Sequence, residues 1–249
     1  MRTENSNNII IYLKKKNENS EILNLINWGI EIMKQFNSPP NYIGISGKVY
    51  NDKIVKIKTG IDKLSRNNYQ GVDSFELYFS NSNSPSYDWE LCLIISIGEH
   101  IEFFLGGNDD LISFDSIIKK LDYLLTQFSY ESIYGYLFSR PFNLGPEFYP
   151  FGIGYGEISD EELDKATVWR KDLYGNKTFF EGKIRELYPI NILNEKHLNF
   201  KLNNNKQFKN FISENKLILE KVTEDTYLLI VNNTKLINGM LLNSGVKLT

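Results

Sequence analysis

The residues best suited to chemistry in this chain are its clustered carboxylates. Asp109-Asp110 is one pair, and Glu157, Asp160, Glu161, Glu162 and Asp164 form a denser run. Two such groups can hydrolyse a glycosidic bond without histidine, provided they converge in a pocket with separated pKa values. Adjacent charges of one sign at a helix start more commonly form a solvated cap, held by the positive end of the helix dipole. Ser159 and Glu162 have capping-box spacing, which puts Asp160 and Glu161 in such a first turn. A cap is therefore the first reading of the run, and an acidic surface facing a basic partner is the second.

Other catalytic patterns fail one at a time. Gly152, Gly154 and Gly156 approach a dinucleotide fingerprint, but Glu157 stands where the third glycine belongs and would repel a pyrophosphate. Gly47-Lys48 has Tyr42 in place of the first P-loop glycine and Val49 in place of the Ser or Thr that holds magnesium. Gly44-Ile45-Ser46-Gly47 lacks the second glycine of a nucleophile elbow, because position 48 is Lys48. The two histidines, His100 and His197, lie far apart in the chain and read as surface or capping residues. Cys92 sits inside the apolar run Leu91-Cys92-Leu93-Ile94, where a thiol is desolvated and inert. With one cysteine there is no intramolecular disulfide and no multi-cysteine zinc site, and no Asp-rich calcium loop is present. The expectation is a protein with no catalytic residues, no metal and no cofactor.

Composition agrees with an ordinary folded protein. The chain has 249 residues, 41% hydrophobic and 24% charged, which is enough to bury a sizeable core and close to the globular average. Its 28 basic and 31 acidic residues leave a net charge of -3, too small to imply a nucleic-acid or membrane-surface protein. The apolar stretch Ile9 to Leu13 is shorter than a secretory h-region, and the run Leu91 to Ile97 is far below a membrane span. A cytoplasmic location is the expectation.

The elements that must position these residues read as one α+β domain over 1–249, an antiparallel sheet meander with packed helices. A first helix is expected from a Ser20 cap, with Ile22, Leu25, Ile26, Met33 and Phe36 near one face, ending before Pro39-Pro40. Residues around Tyr42 to Tyr50 and Ile54 to Lys58 suggest a hairpin turned at Asn51-Asp52, followed by an alternating strand through Phe75, Leu77 and Phe79. Trp89 to Ile97 reads as a buried strand, turned back at Gly98-Glu99-His100 into Ile101 to Leu105. A helix capped near Ser113 follows, with Phe114, Ile117, Ile118, Leu121, Leu124, Leu125 and Phe128 in one apolar stripe. After the Ser159 helix come a short helix through Phe208, Phe211 and Ile212, strands at Leu217 to Val222 and Tyr227 to Val231, and a final helix with Leu236, Ile237, Met240 and Leu241.

The stretch that departs most from plain scaffold is Arg140 to Glu157. Its three prolines and four glycines forbid a regular central strand or helix, while its five aromatics demand burial or a partner. It reads either as a folded-back loop stapling sheet to helices or as an interface, since aromatic and arginine residues dominate hot spots. Arg140, at the strand-to-loop junction, is placed to hold loop carbonyls or a carboxylate such as Glu147 or Glu157. Arg140, Tyr149, Tyr155, Glu157, Asp160, Glu161, Asp109 and Asp110 are the candidate partner-binding residues.

The segment Tyr134-Gly135-Tyr136-Leu137-Phe138-Ser139-Arg140-Pro141-Phe142, followed by Gly145-Pro146-Glu147-Phe148-Tyr149 and Gly152-Ile153-Gly154-Tyr155-Gly156, resembles the central block of the Immunity protein 52 type of bacterial immunity proteins. A second block, Ile184 to Leu198, resembles that family's Arg-x-x-Tyr-Pro-x-Asn-x-Leu-x-x-x-His-Leu pattern through Arg185, Tyr188, Pro189, Asn191, Leu193, His197 and Leu198. The resemblance is strongest over 130–245, and residues 1 to 110 match in expected architecture alone. It implies an inhibitor of a cognate polymorphic toxin, often a nuclease, acting by stoichiometric binding to protect the producing cell, and it implies no catalytic residues. A carboxylate-dependent hydrolase and a non-catalytic subunit of another bacterial assembly are the alternatives.

Overall fold

A computed structural model describes residues 5–15, 22–51, 53–81, 90–105, 130–141, 151–152, 159–202 and 205–243. The chain is α+β, and every strand pairing with a described register is antiparallel. It gathers into two compact units, one comprising Ser6–Asn8 and Tyr12–Glu131, the other Ile9–Ile11 and Ser132–Thr249 with the first residues of the chain. Among the described residues no helix is long and apolar enough to cross a membrane.

In the unit running to Glu131, strands β2 (Tyr42–Ser46), β3 (Val55–Lys56), β4 (Ser74–Phe79), β5 (Leu91–Ser96) and β6 (His100–Leu105) are ordered β3-β2-β4-β5-β6. Alternation sorts their side chains by face. Ile43, Leu77, Leu93 and Phe103 are aligned across four strands, beside Ile45, Phe75, Ile95 and Ile101. All eight are buried. Helix α1 (Ile22–Gln35) buries Ile26, Ile32 and Met33, and Phe36 beyond its end meets Phe103 with ring centroids 6.1 Å apart. The expected turn at Gly98-Glu99 is present, and Leu13 of strand β1 (Asn5–Lys15) donates its N–H to the Glu99 carbonyl at 2.8 Å.

One expectation needed correction here, and one element was not read from the sequence. The hairpin read over Tyr42 to Lys58 is much shorter: β3 is two residues long, and Ile57 and Lys58 open helix α2 (Ile57–Arg66). Gly60 is the reason the helix fits, because a Cβ there would lie 2.2 Å from the Ile43 side chain. Gly60 therefore marks a close helix-to-strand approach where the residue type suggests a helix breaker. The element not read is β1, a strand with Ile9, Ile10, Ile11 and Tyr12 all buried. Four consecutive buried apolar residues carry no alternation, since both faces of the strand are covered. The helix expected near Ser113 lies outside the described residues.

In the other unit, β7 (Tyr130–Pro141), β8 (Ile190–Asn194), β9 (Ile218–Lys221) and β10 (Thr226–Ile230) are ordered β7-β8-β10-β9. Gly135 of β7 lets the backbone of Ile10 and Ile11 come close: a Cβ would stand 2.5 Å from the Ile10 carbonyl oxygen. Helix α3 (Asp160–Tyr174) buries Ala166, Trp169 and Leu173, and a 3-10 turn at Thr178–Glu181 buries Phe179 and Phe180. The short helices α4 (Glu195–Asn199) and α5 (Phe208–Glu214) precede β9, and α6 (Thr234–Asn243) follows β10. Of the four apolar residues read into α6, Ile237 and Leu241 are buried while Leu236 and Met240 face solvent.

Candidate partner-binding site

The described part of the first resemblance block, Tyr134 to Pro141, meets the second block in one buried cluster. Tyr134, Tyr136 and Phe138 alternate along β7 onto a single face. Tyr134 stacks on His197 at 5.1 Å and lies 6.1 Å from Trp169, while Tyr136 stacks on Tyr188 at 4.2 Å. Arg185 lies 5.4 Å above Trp169, donates from Nη1 to the Tyr136 hydroxyl at 3.4 Å, and sends its backbone N–H to the Tyr134 hydroxyl at 3.2 Å. Asn191 and Asn194 tie the backbone together: Asn191 Nδ2 donates to the carbonyl of Tyr188 at 2.7 Å, and Asn194 Nδ2 donates to the carbonyl of Ile133 at 3.1 Å. Arg185, Tyr188, Asn191, Leu193, His197 and Leu198 are all buried. The described residues of the two blocks thus form a folding centre.

His197 closes a capping box at the start of α4, its Nδ1 accepting the Asn194 N–H at 3.1 Å. The capping role expected for it is present, but the side chain has no exposure. Burial pushes its pKa down to about 3, and burial lowers His100 to about 4. Burial raises the Cys92 thiol, as its place in an apolar strand implied.

Sequence reasoning missed one arrangement of carboxylates. Glu76 and Glu102 are both aligned with Ile94, and so share the sheet face that carries Tyr78, Cys92 and Phe104. Tyr78 donates its hydroxyl proton to Glu76, and burial raises that hydroxyl's pKa. Glu102 is buried. Alternation groups Glu76 with Tyr78 in β4 and Glu102 with Phe104 in β6, but the register that brings both groups to one face is set by the fold. Among the described residues no group of three His, Cys, Asp or Glu side chains is arranged to hold a metal ion.

The accessible candidates lie on α3. Its start follows the sequence expectation: Ser159 Oγ accepts the Glu162 N–H at 3.4 Å, and the Glu162 carboxylate accepts the Ser159 N–H at 3.4 Å. Asp160 and Glu161 are exposed in the first turn. Glu161 pairs with Lys165 at 2.7 Å, a hydrogen-bonded contact that lowers the carboxyl pKa and raises that of the lysine. Arg140 is the penultimate residue of β7. Asp109, Asp110, Tyr149, Tyr155 and Glu157 lie outside the described residues, so of the proposed acidic surface the structure places Asp160 and Glu161 together.

No family model and no curated protein matches the chain. Among solved structures it is similar to Pseudomonas aeruginosa T6SS protein PA0821, with a TM-score of 0.59 and 10% sequence identity over 98% of this chain and 72% of that one. At that identity the likeness is one of fold, and it extends over both compact units.

Proposed function

We propose that this chain is an immunity protein, which binds a cognate polymorphic toxin, possibly a nuclease, and neutralises it as a stoichiometric complex in the cytoplasm of the producing cell. The observation that carries the reading is the fold shared over 98% of the chain with a T6SS protein. The two motif blocks that resemble the Immunity protein 52 type add to it. Inhibition by occlusion needs no catalytic residues, metal or cofactor; it needs a rigid domain and a complementary surface. The buried Tyr134–Arg185–His197 cluster supplies rigidity, and the exposed acidic turn of α3 supplies charge for a basic partner.

The test is to express the toxin domain encoded beside the gene, under tight control, with and without this protein, and to measure survival and complex formation. Survival together with a one-to-one complex is expected. Survival without a complex would sink the reading. It would favour the second one, a carboxylate-dependent hydrolase, for which the shared face of Glu76 and Glu102 is the specific ground. Glu76→Gln with Glu102→Gln leaves rescue intact on the binding reading and abolishes it on the enzymatic one. Complex formation without rescue would instead favour a subunit of another assembly.

A further inference from the structure

Strand β9 ends the order β7-β8-β10-β9 and has a neighbouring strand on one side only. The phase of its ladder decides which backbone groups face the open side. Val222 donates its N–H to the Thr226 carbonyl at 2.9 Å, in the register that sets Glu220 opposite Leu228 and Ile218 opposite Ile230. Bonded and non-bonded positions alternate along an antiparallel pair. Ile218 and Glu220 therefore exchange their backbone hydrogen bonds with β10, while Leu219 and Lys221 turn N–H and C=O to the open edge. The other side of β10 agrees with this phase, since Val231 donates to the Pro189 carbonyl at 2.9 Å, towards β8. Edge strands are ordinarily blunted by shortness, charge or a cover. The terminal strand of the other unit, β3, is of that kind, two residues long and running straight into α2. In contrast, β9 carries Ile218, 49% exposed, on the same face as Glu220, which is exposed and in no ion pair among the described residues. Leu219 and Lys221 share the opposite face, where the Lys221 ammonium already lies 5.8 Å from the centre of the Tyr227 ring.

We infer that β9 is the docking edge for an extended segment of the toxin, which adds to the sheet as an antiparallel strand. The inference rests on the immunity reading and names the surface that reading uses. The N–H and C=O of Leu219 and Lys221 supply the main-chain hydrogen bonds, and the flanking side chains supply selectivity. Residues directly opposite one another share a face. The segment accordingly carries an apolar residue opposite Ile218 and a lysine or arginine opposite Glu220, the basic residue two places earlier in its own sequence. A second copy of this chain does not fit that requirement. A two-fold pairing must set outward-turned residues against each other, so Leu219 meets Leu219, Leu219 meets Lys221, or Lys221 meets Lys221. Glu220 then stands opposite the second copy's Ile218, Glu220 or Val222, and in no register opposite a base.

Calorimetry and amide hydrogen exchange on the complex with the toxin domain encoded beside the gene test this. The Leu219 and Lys221 amides should exchange fast in the free protein and be protected about tenfold or more in the complex. Lys221→Pro removes an outward N–H that the fold does not use, and proline is tolerated on such an edge. Its thermal midpoint should match that of Lys221→Ala, while its affinity for the toxin should be about tenfold lower than that of Lys221→Ala. Glu220→Lys should weaken binding more than Glu220→Gln does, by a margin that shrinks as salt rises. Amides left unprotected in the complex, or equal binding by Lys221→Pro and Lys221→Ala, would overturn the docking edge and leave the immunity reading standing. A Lys221→Pro chain that does not fold contradicts the ladder phase and overturns it as well. A toxin domain that forms no complex with wild type overturns both.

Discussion

At the scale of single residues, burial decides what the titratable groups do. His197 has a pKa of about 3 in the fold against 6.5 for the free side chain. The unfolded chain therefore takes up the proton first as pH falls. The contribution to stability is complete above about pH 6.5 and is lost progressively toward pH 3. In the middle of that window one such histidine adds a slope of about 1.4 kcal/mol per pH unit. His197→Gln retains an acceptor able to reach the Asn194 N–H. Chemical denaturation from pH 7 to 4.5 should show a shallower loss for this variant than for wild type, and equal slopes would refute the assignment. Gly135 offers a second residue-level test. Its missing Cβ leaves room for the backbone of β1, so Gly135→Ala should cost about 2–3 kcal/mol in urea unfolding. The capping role of His197 and the inertness of Cys92 were legible from the sequence. The depth of His197 was not, because it depends on Tyr134, which approaches from another strand.

At the scale of elements, the signals that carried were local ones. Ser159 and Glu162 marked the start of α3, and the capping box is there. Ser159→Ala removes the acceptor of the Glu162 N–H and should lower stability by about 1 kcal/mol, read from thermal midpoints at neutral pH. The midpoint should fall less for Ser159→Asp, which keeps an acceptor at the cap. Strands β4, β5 and β6 were legible because alternation and a Gly98 turn punctuate them. Helix α2 was hidden by Gly60, although Ile57, Gly60, Ile61 and Leu64 have helical spacing; the small residue at the contact point reads as a break until Ile43 is seen beside it. Strand β1 was hidden for the opposite reason, since complete burial erases the period that identifies a strand.

At the scale of the whole molecule, the proposed function rests on a surface, and the electrostatic part of that surface can be tested apart from the rest. If the acidic turn of α3 meets the toxin, the association rate should fall steeply with salt, because exposed charges are screened over roughly 8–10 Å near physiological ionic strength. Stopped-flow association at increasing salt measures this, and Asp160→Asn with Glu161→Gln should flatten the dependence. A rate indifferent to salt would place the contact on apolar residues instead.

Much of this protein was decided by the sequence alone, where the cause is local. Alternation, caps and turn residues specify an α+β chain of antiparallel strands, and an isolated Cys92 in an apolar run specifies a buried thiol. Tertiary structure decided what depends on residues distant in the chain. It placed Tyr134 and Tyr136 against Arg185, Tyr188 and His197, turning two motif blocks about fifty positions apart into one core. It also aligned Glu76 with Glu102 across the intervening strand, and left Leu163, Val168 and Tyr174 of α3 in water. Periodicity shows which residues share a face; only the fold determines which faces are covered.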